Sequence, residues 1–155
     1  MAYYGATICL NGHVLSKYQA NSQPHCSICG KETFSVCLHC KSAIRGLAQS
    51  DFLVVGNRPY HKPFYCHQCG APYPWTQRIL DNAVELLSLD DELDDTSKEL
   101  IKTAIPELIV DTPTTPIAIA KYRKGIAKAG SMVSDALRQF LVDVVSETAK
   151  KSLFP

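Results

Sequence analysis

No run of about 18 apolar residues occurs anywhere in the chain, so nothing in it reads as a membrane-spanning helix. The first residues, Met1-Ala2-Tyr3-Tyr4-Gly5, lack the basic region and apolar stretch of a secretory signal, and a cytoplasmic location is expected. Seven cysteines cannot pair off completely, which argues against a disulfide framework. No grouping of Ser, His and Asp residues assembles a nucleophile with a base, and catalysis is not expected. Residues 76–155 contain neither cysteine nor histidine.

That last absence puts every soft metal donor in the first half. The seven cysteines fall into four pairs: Cys9 with His13, Cys26 with Cys29, Cys37 with Cys40, and Cys66 with Cys69. Three pairs are Cys-x-x-Cys knuckles and the first is Cys-x-x-x-His, so together they offer eight ligands, enough for two tetrahedral structural zinc ions with none left over. A redox role would need one dithiol, not three. With four ligands each, neither site keeps the open position of a zinc enzyme.

Two pairings of the knuckles compete. In the tandem arrangement Cys9, His13, Cys26 and Cys29 hold one ion and Cys37, Cys40, Cys66 and Cys69 the other. A cross-brace instead combines Cys9, His13, Cys37 and Cys40, and then Cys26, Cys29, Cys66 and Cys69. The tandem arrangement is favoured because its loops are shorter and closure entropy grows with loop length. Among the remaining histidines, His25 is the one credible replacement for His13. His13 is preferred because Asn11-Gly12 is a turn-forming pair that folds it back onto Cys9. His39 and His67 sit inside knuckles facing away from the metal, and His61 reads as a surface loop residue.

Composition shifts near Trp75, and the boundary is placed there. The fold expected is α+β: a double zinc ribbon over residues 1–75, with short stretches such as Phe52-Leu53-Val54-Val55 suiting strands, and a helical domain over 76–155. In the helical part Thr76 reads as an N-cap and Asp90-Asp91-Glu92 as a stop. Thr96-Ser97-Lys98-Glu99 reads as a capping box, Pro106 predicts a kink or break near Ile105, and Pro116 suits the first turn of a third helix. From Met132 to Leu153 apolar pairs recur every four residues, so on one continuous helix the stripe rotates by about 40° per step. Phe140 and Leu141 lie at its middle. Such a winding stripe asks for cover from more than one side, which suggests a homo-oligomer formed through the C-terminal helices.

The segments quoted above resemble a known family. Cys9-Leu10-Asn11-Gly12-His13, Cys26-x-x-Cys29-Gly30, Cys37-x-x-Cys40 leading to Ile44-Arg45-Gly46, and Pro63-Phe64-Tyr65-Cys66-x-x-Cys69-Gly70 followed by Pro72-Tyr73-Pro74-Trp75-Thr76 are similar to a bacterial zinc-ribbon family catalogued as a domain of unknown function. Asp111-Thr112-Pro113, Lys128-Ala129-Gly130 and Val142-Asp143-Val144-Val145-Ser146-Glu147 extend the resemblance to the tail. It implies a zinc-ribbon fold and a bacterial source, and leaves the activity to be argued from the residues.

Three functions compete on the sequence. Residues 1–75 carry six basic and two acidic side chains, and 76–155 ten and thirteen. Seven thiolates and two zinc ions would lower the first part from +4 to +1. Lys41, Arg45, Arg58 and Lys62 make only a thin basic stripe for nucleic acid, with Tyr60, Phe64, Tyr65, Tyr73 and Trp75 as stacking groups. Tyr65 and Trp75 read better as packing against the last knuckle. A membrane-active tail could use Lys121, Arg123, Lys124 and Lys128, but Asp135, Asp143 and Glu147 oppose it. The preferred reading is a non-enzymatic interaction or assembly protein with a protein partner.

Overall fold

The computed structural model describes residues 2–18, 23–49 and 59–155. Phe52-Leu53-Val54-Val55 and Arg58 lie outside the described residues. The chain divides into two compact units, Met1–Arg78 and Ile79–Pro155.

The first unit is built from very short strands, because its loops are committed to the knuckles. β1 (Tyr3–Gly5) pairs antiparallel with β5 (Arg45–Ala48), and a second sheet has the order β3-β2-β4, with β2 at Thr7–Cys9, β3 at Val14–Ser16 and β4 at Thr33–Phe34. Register places Ile8 opposite Phe34 and Cys9 opposite Thr33. The turn between β2 and β3 is the Asn11-Gly12 pair. Gly12 takes φ +87, a conformation that costs glycine little, and its N–H reaches the Cys9 carbonyl at 2.9 Å. The core beneath these strands is small: Ala6, Ile8, Ile44, Tyr73 and Trp75, with Cys37 and Cys66 among them.

Helix α1 (Pro74–Ser88) begins in the first unit and continues into the second. It starts two residues before Thr76. Pro74 heads it, where a missing N–H costs nothing, and the Tyr73 carbonyl accepts from Thr76 and Gln77. Thr76 is therefore a buried helical residue whose hydroxyl donates to the Phe64 carbonyl at 2.6 Å, not an N-cap.

The second unit packs the rest of α1 with α2 (Asp95–Ile109), α3 (Thr115–Ile126), α4 (Ser131–Leu141) and α5 (Glu147–Leu153). The cap of α2 is Asp94, whose carboxylate accepts from Ser97 N at 2.7 Å, so the helix starts before the expected capping box. A charged acceptor two residues earlier outcompetes Thr96. Helix α2 also runs unbroken past Pro106. Ile101, Ile105, Leu108 and Ile109 are all buried on it, and their burial outweighs the lost hydrogen bond. Pro116 does sit in the first turn of α3.

The tail corrects the single winding helix. α4 stops at Leu141, the chain turns through residues 142–146, and α5 restarts with Ser146 accepting from Ala149 N at 3.3 Å. Val-rich sequence before a serine favours that break. Val133, Leu137, Leu141, Val145 and Ala149, spaced at four, are all buried in the helical core. Breaking the helix re-phases the stripe, so the second residue of each pair is covered within the chain.

One carboxylate organises the connections of this unit. Asp90 Oδ1 accepts from Glu92 N at 2.7 Å and Leu93 N at 3.1 Å, while Oδ2 accepts from Gly130 N, the residue capping α4, at 2.9 Å. Burial pushes the Asp90 carboxyl up, but the N–H groups of Glu92, Gly130 and Leu93 hold it below its ordinary value of 3.8. A depressed native value means that its contribution is complete above the ordinary value and is lost as pH falls through the depressed one. Asp90→Ala is expected to lower the melting temperature of the helical unit at neutral pH, with the gap to the unmodified chain closing in acid. Circular dichroism melts across pH check this, and equal melting temperatures at neutral pH would contradict it.

Candidate metal centres

The three Cys-x-x-Cys segments are one structure repeated. In each, the first cysteine N–H donates to the carbonyl five residues on: Cys26 to Lys31, Cys37 to Ser42, Cys66 to Ala71, at 2.7 to 2.9 Å. Its own carbonyl accepts from Gly30, Lys41 or Gly70 at 2.8 to 2.9 Å. Thr33, Ile44 and Tyr73 then occupy equivalent places, each donating its N–H two residues before the first cysteine, to Pro24, Ser35 and Phe64. Closing this loop requires a left-handed residue after the second cysteine. Gly30 and Gly70 supply it at φ +76, and Lys41 is forced into it at φ +65.

The hairpin β2–β3 supplies the fourth pair. Cys9 N donates to the His13 carbonyl at 3.0 Å, and His13 N reaches the Cys9 sulfur at 3.3 Å, which turns both side chains to one point. Two clusters result: Cys9, His13, Cys26 and Cys29, and Cys37, Cys40, Cys66 and Cys69, with the donor atoms of each within 4.8 Å of one another. These are the sequential sets, not the crossed ones. His25, His39, His61 and His67 are exposed and belong to neither.

The spacing within each cluster fits a tetrahedral ion. Bonds of about 2.3 Å from zinc to sulfur imply sulfur–sulfur edges of about 3.8 Å, and slightly shorter sulfur–nitrogen edges. Cys9 Sγ lies 3.7 Å from Cys29 Sγ, and His13 Nδ1 lies 3.4 Å from Cys9 Sγ and 3.7 Å from Cys26 Sγ. In the second cluster Cys37 and Cys69 are 3.7 Å apart and Cys40 and Cys66 3.6 Å. A disulfide would bring sulfurs to about 2.05 Å. All seven cysteines are free.

Backbone N–H groups are turned toward the sulfurs, Ile28 N to Cys26 and Gln68 N to Cys66 at 3.4 Å, and Ser42 Oγ lies 3.3 Å from Cys40 Sγ. These donors favour thiolates. The Lys31 N–H draws Cys29 down to about 6. Cys66 is pushed up by burial but drawn down more strongly by the Cys69 and Gln68 N–H groups, also to about 6. Burial raises Cys9. The Ala71 N–H draws Cys69 down, yet desolvation and the neighbouring thiols lift it to about 11. Each cluster therefore holds both easily ionised thiols and thiols that keep their protons until a cation displaces them.

Around the first cluster Lys62 Nζ donates to the Gly12 carbonyl at 2.9 Å, across 50 positions of sequence. Half-burial lowers the Lys62 ammonium while the charge of Cys9 opposes that shift. Beside the second cluster, Tyr73 stacks on Trp75 with ring centroids 4.8 Å apart, and Trp75 Nε1 donates to the Pro63 carbonyl at 3.0 Å. Neither ring is free to stack on a base. Tyr73 and Lys62 were outside the expected ligand set, and nothing in residue type alone marks them.

With this geometry established, the chain can be set against known proteins. The family model described as "Uncharacterized protein conserved in bacteria (DUF2321)" matches residues 2–153. The chain belongs to that family. No curated protein and no solved structure matches it. The match spans both units.

The knuckle repeat gives a direct test. A Cβ added at Gly30 would meet no atom within 4 Å, so Gly30→Ala probes the left-handed conformation alone and should cost about 1 to 2 kcal/mol. Lys41→Gly relieves the same strain and should leave stability equal or raise it by up to about 1 kcal/mol, glycine's own entropy being the offset. Chemical denaturation of the intact chain measures both, and a destabilised Lys41→Gly would contradict the strain argument.

Proposed function

We propose that this protein is a non-enzymatic zinc-binding interaction protein, in which two structural zinc ions hold the three knuckles and the β2–β3 hairpin as a rigid presenting surface. The observation that carries the reading is the pair of four-donor clusters with edges of 3.4 to 3.7 Å. Thiolate-rich sets select zinc among borderline ions, and four protein donors leave no position for substrate or water. Catalysis at either cluster is accordingly not proposed. The knuckle tips present Ile28, 72% exposed, and Leu38, 50% exposed, held by metal rather than by a core. Exposed apolar side chains on a rigid frame suit a protein partner.

Nucleic-acid binding draws less support. Tyr73 and Trp75 are buried, Lys62 is spent on the Gly12 carbonyl, and the Arg45 guanidinium lies over the Tyr3 ring at 4.4 Å. Of the basic stripe, Lys41 is left exposed among the described residues. A membrane role draws less support as well: among the described residues no helix is long and apolar enough to cross a membrane, and the apolar stripe from Met132 to Leu153 is divided between α4 and α5. Self-association keeps a place in the reading with a different carrier. The second residue of each pair in the repeat is buried, and Met132 at its start together with Ile117, 72% and 57% exposed in the first turns of α4 and α3, would carry the contact.

Purified protein is expected to carry two zinc ions per chain. Chelation should unfold the first unit, since structural sites contribute roughly 10 to 16 kcal/mol of apparent binding energy. Because the raised thiols of Cys9 and Cys69 must lose protons to bind, zinc affinity should fall as pH falls, and more steeply once pH drops through about 6, where Cys29 and Cys66 also begin to hold protons. Elemental analysis of reduced protein showing no metal with the unit still folded would sink this reading. For self-association, light scattering at tens of micromolar should show an oligomer that Met132→Glu reduces to a monomer. A monomeric unmodified chain would remove that part of the proposal.

A further inference from the structure

The Tyr73 hydroxyl is buried and has no hydrogen-bond partner in good geometry, the only such side-chain atom among the described residues. The residue is 1% exposed. An unsatisfied buried hydroxyl costs about 1 to 3 kcal/mol, so its persistence asks for a reason. Packing does not supply one. Ile44 occupies the equivalent place in the preceding knuckle, fully buried and wholly apolar, and Thr33 the place in the first. A phenylalanine would fill the site of Tyr73 as well as tyrosine does.

Tyr73 packs in one buried cluster with Cys66, whose sulfur lies within reach of its hydroxyl. A neutral thiol is a weak acceptor, whereas a thiolate accepts strongly. We propose that Tyr73 is a positioning residue for the second metal site, its hydroxyl donating to the Cys66 sulfur when that sulfur is held as a thiolate on the metal ion. This rests on the zinc reading of that cluster given above. Four thiolates on one dication leave a charge of −2 in a partly buried place, one more negative charge than the three-thiolate set of Cys9, Cys26 and Cys29 carries with His13. A donor to one sulfur draws off part of that charge and fixes the sulfur's orientation, the role that outer hydrogen bonds play around metal sites generally. At the first site the nearby charge is met by Lys62 through the Gly12 turn; at the second, Ser42 beside Cys40 and Tyr73 beside Cys66 do that work.

Tyr73→Phe removes one oxygen and keeps the stacking on Trp75, so the variant should fold. Zinc stoichiometry and affinity are measured for both proteins by elemental analysis and competition with a chromogenic chelator, and both are loaded with Co2+ to record the sulfur-to-metal charge-transfer band. Two ions should bind in each protein, with one of the two affinities about tenfold weaker in Tyr73→Phe and the other unchanged, the low end for outer partners of metal ligands. The Co2+ band should shift, which a loss of packing alone would not cause. An unchanged or tighter affinity in Tyr73→Phe, with an unmoved band, would show the hydroxyl to be a mere buried cost and overturn the proposal. Unmodified protein that binds fewer than two ions would instead bring down the metal reading itself. Trp75, the single tryptophan, reports folding in the same samples. Should Tyr73→Phe fail to fold with zinc present, Ser42→Ala gives the parallel test at Cys40, where a tenfold loss would support the same charge argument and an unchanged affinity would count against it.

Discussion

Bringing four soft donors within 4.8 Å, twice, is the constraint on which the first unit depends. Among the described residues, and apart from the cysteines, its main buried cluster consists of Ala6, Ile8, Ile44, Tyr73 and Trp75. A cluster of this size contributes little against the entropy of ordering the unit, and small domains of this kind draw on metal or cross-links. Everything else in the unit follows from the donors' positions. The strands are two to four residues long, and β3, β4 and β5 fill the intervals between successive ligand pairs. The left-handed residues at 30, 41 and 70 exist to turn the second cysteine of each knuckle back onto the first.

The second unit is governed by ordinary helix packing, and its local costs are correspondingly different. Pro106 is carried inside α2 because the face around it is buried, and the Asp90 carboxylate collects three backbone N–H groups that turns and a cap would otherwise leave unpaired. The chain thus gathers metal ligands in the first unit and relies on hydrophobic burial in the second.

That difference explains which features the sequence made legible. Ligand identity is a matter of residue type and spacing, and loop closure argues for local pairing, so the eight donors and their grouping followed from Cys9 to Cys69 alone. Helix boundaries were less accessible because capping is a competition between neighbours: Asp94 outcompeted Thr96, and Pro74 opened a helix that Thr76 seemed to begin. The four-residue repeat from Met132 was read correctly as a stripe and wrongly as one helix, because whether a winding stripe is covered by another chain or re-phased by a break depends on tertiary contacts that local sequence does not contain. Val142, Val144 and Val145 ahead of Ser146 were the available hint. Lys41 was detectable in principle, since aligning the three knuckles places it where the other two have glycine.

Lys41 and Tyr73 also belong together physically. Both are departures from what local rules prefer, a side chain in a left-handed conformation and a hydroxyl buried without a partner, and both flank the all-cysteine cluster. Such departures concentrate where a structure is organised around something other than its own packing. Around a cluster of thiols they are unrewarded costs. Around a dication with four thiolates, the cation at 41 lies next to a site of charge −2 and the hydroxyl at 73 faces a strong acceptor, so the same two features become compensations for the charge that the all-cysteine ligand set creates.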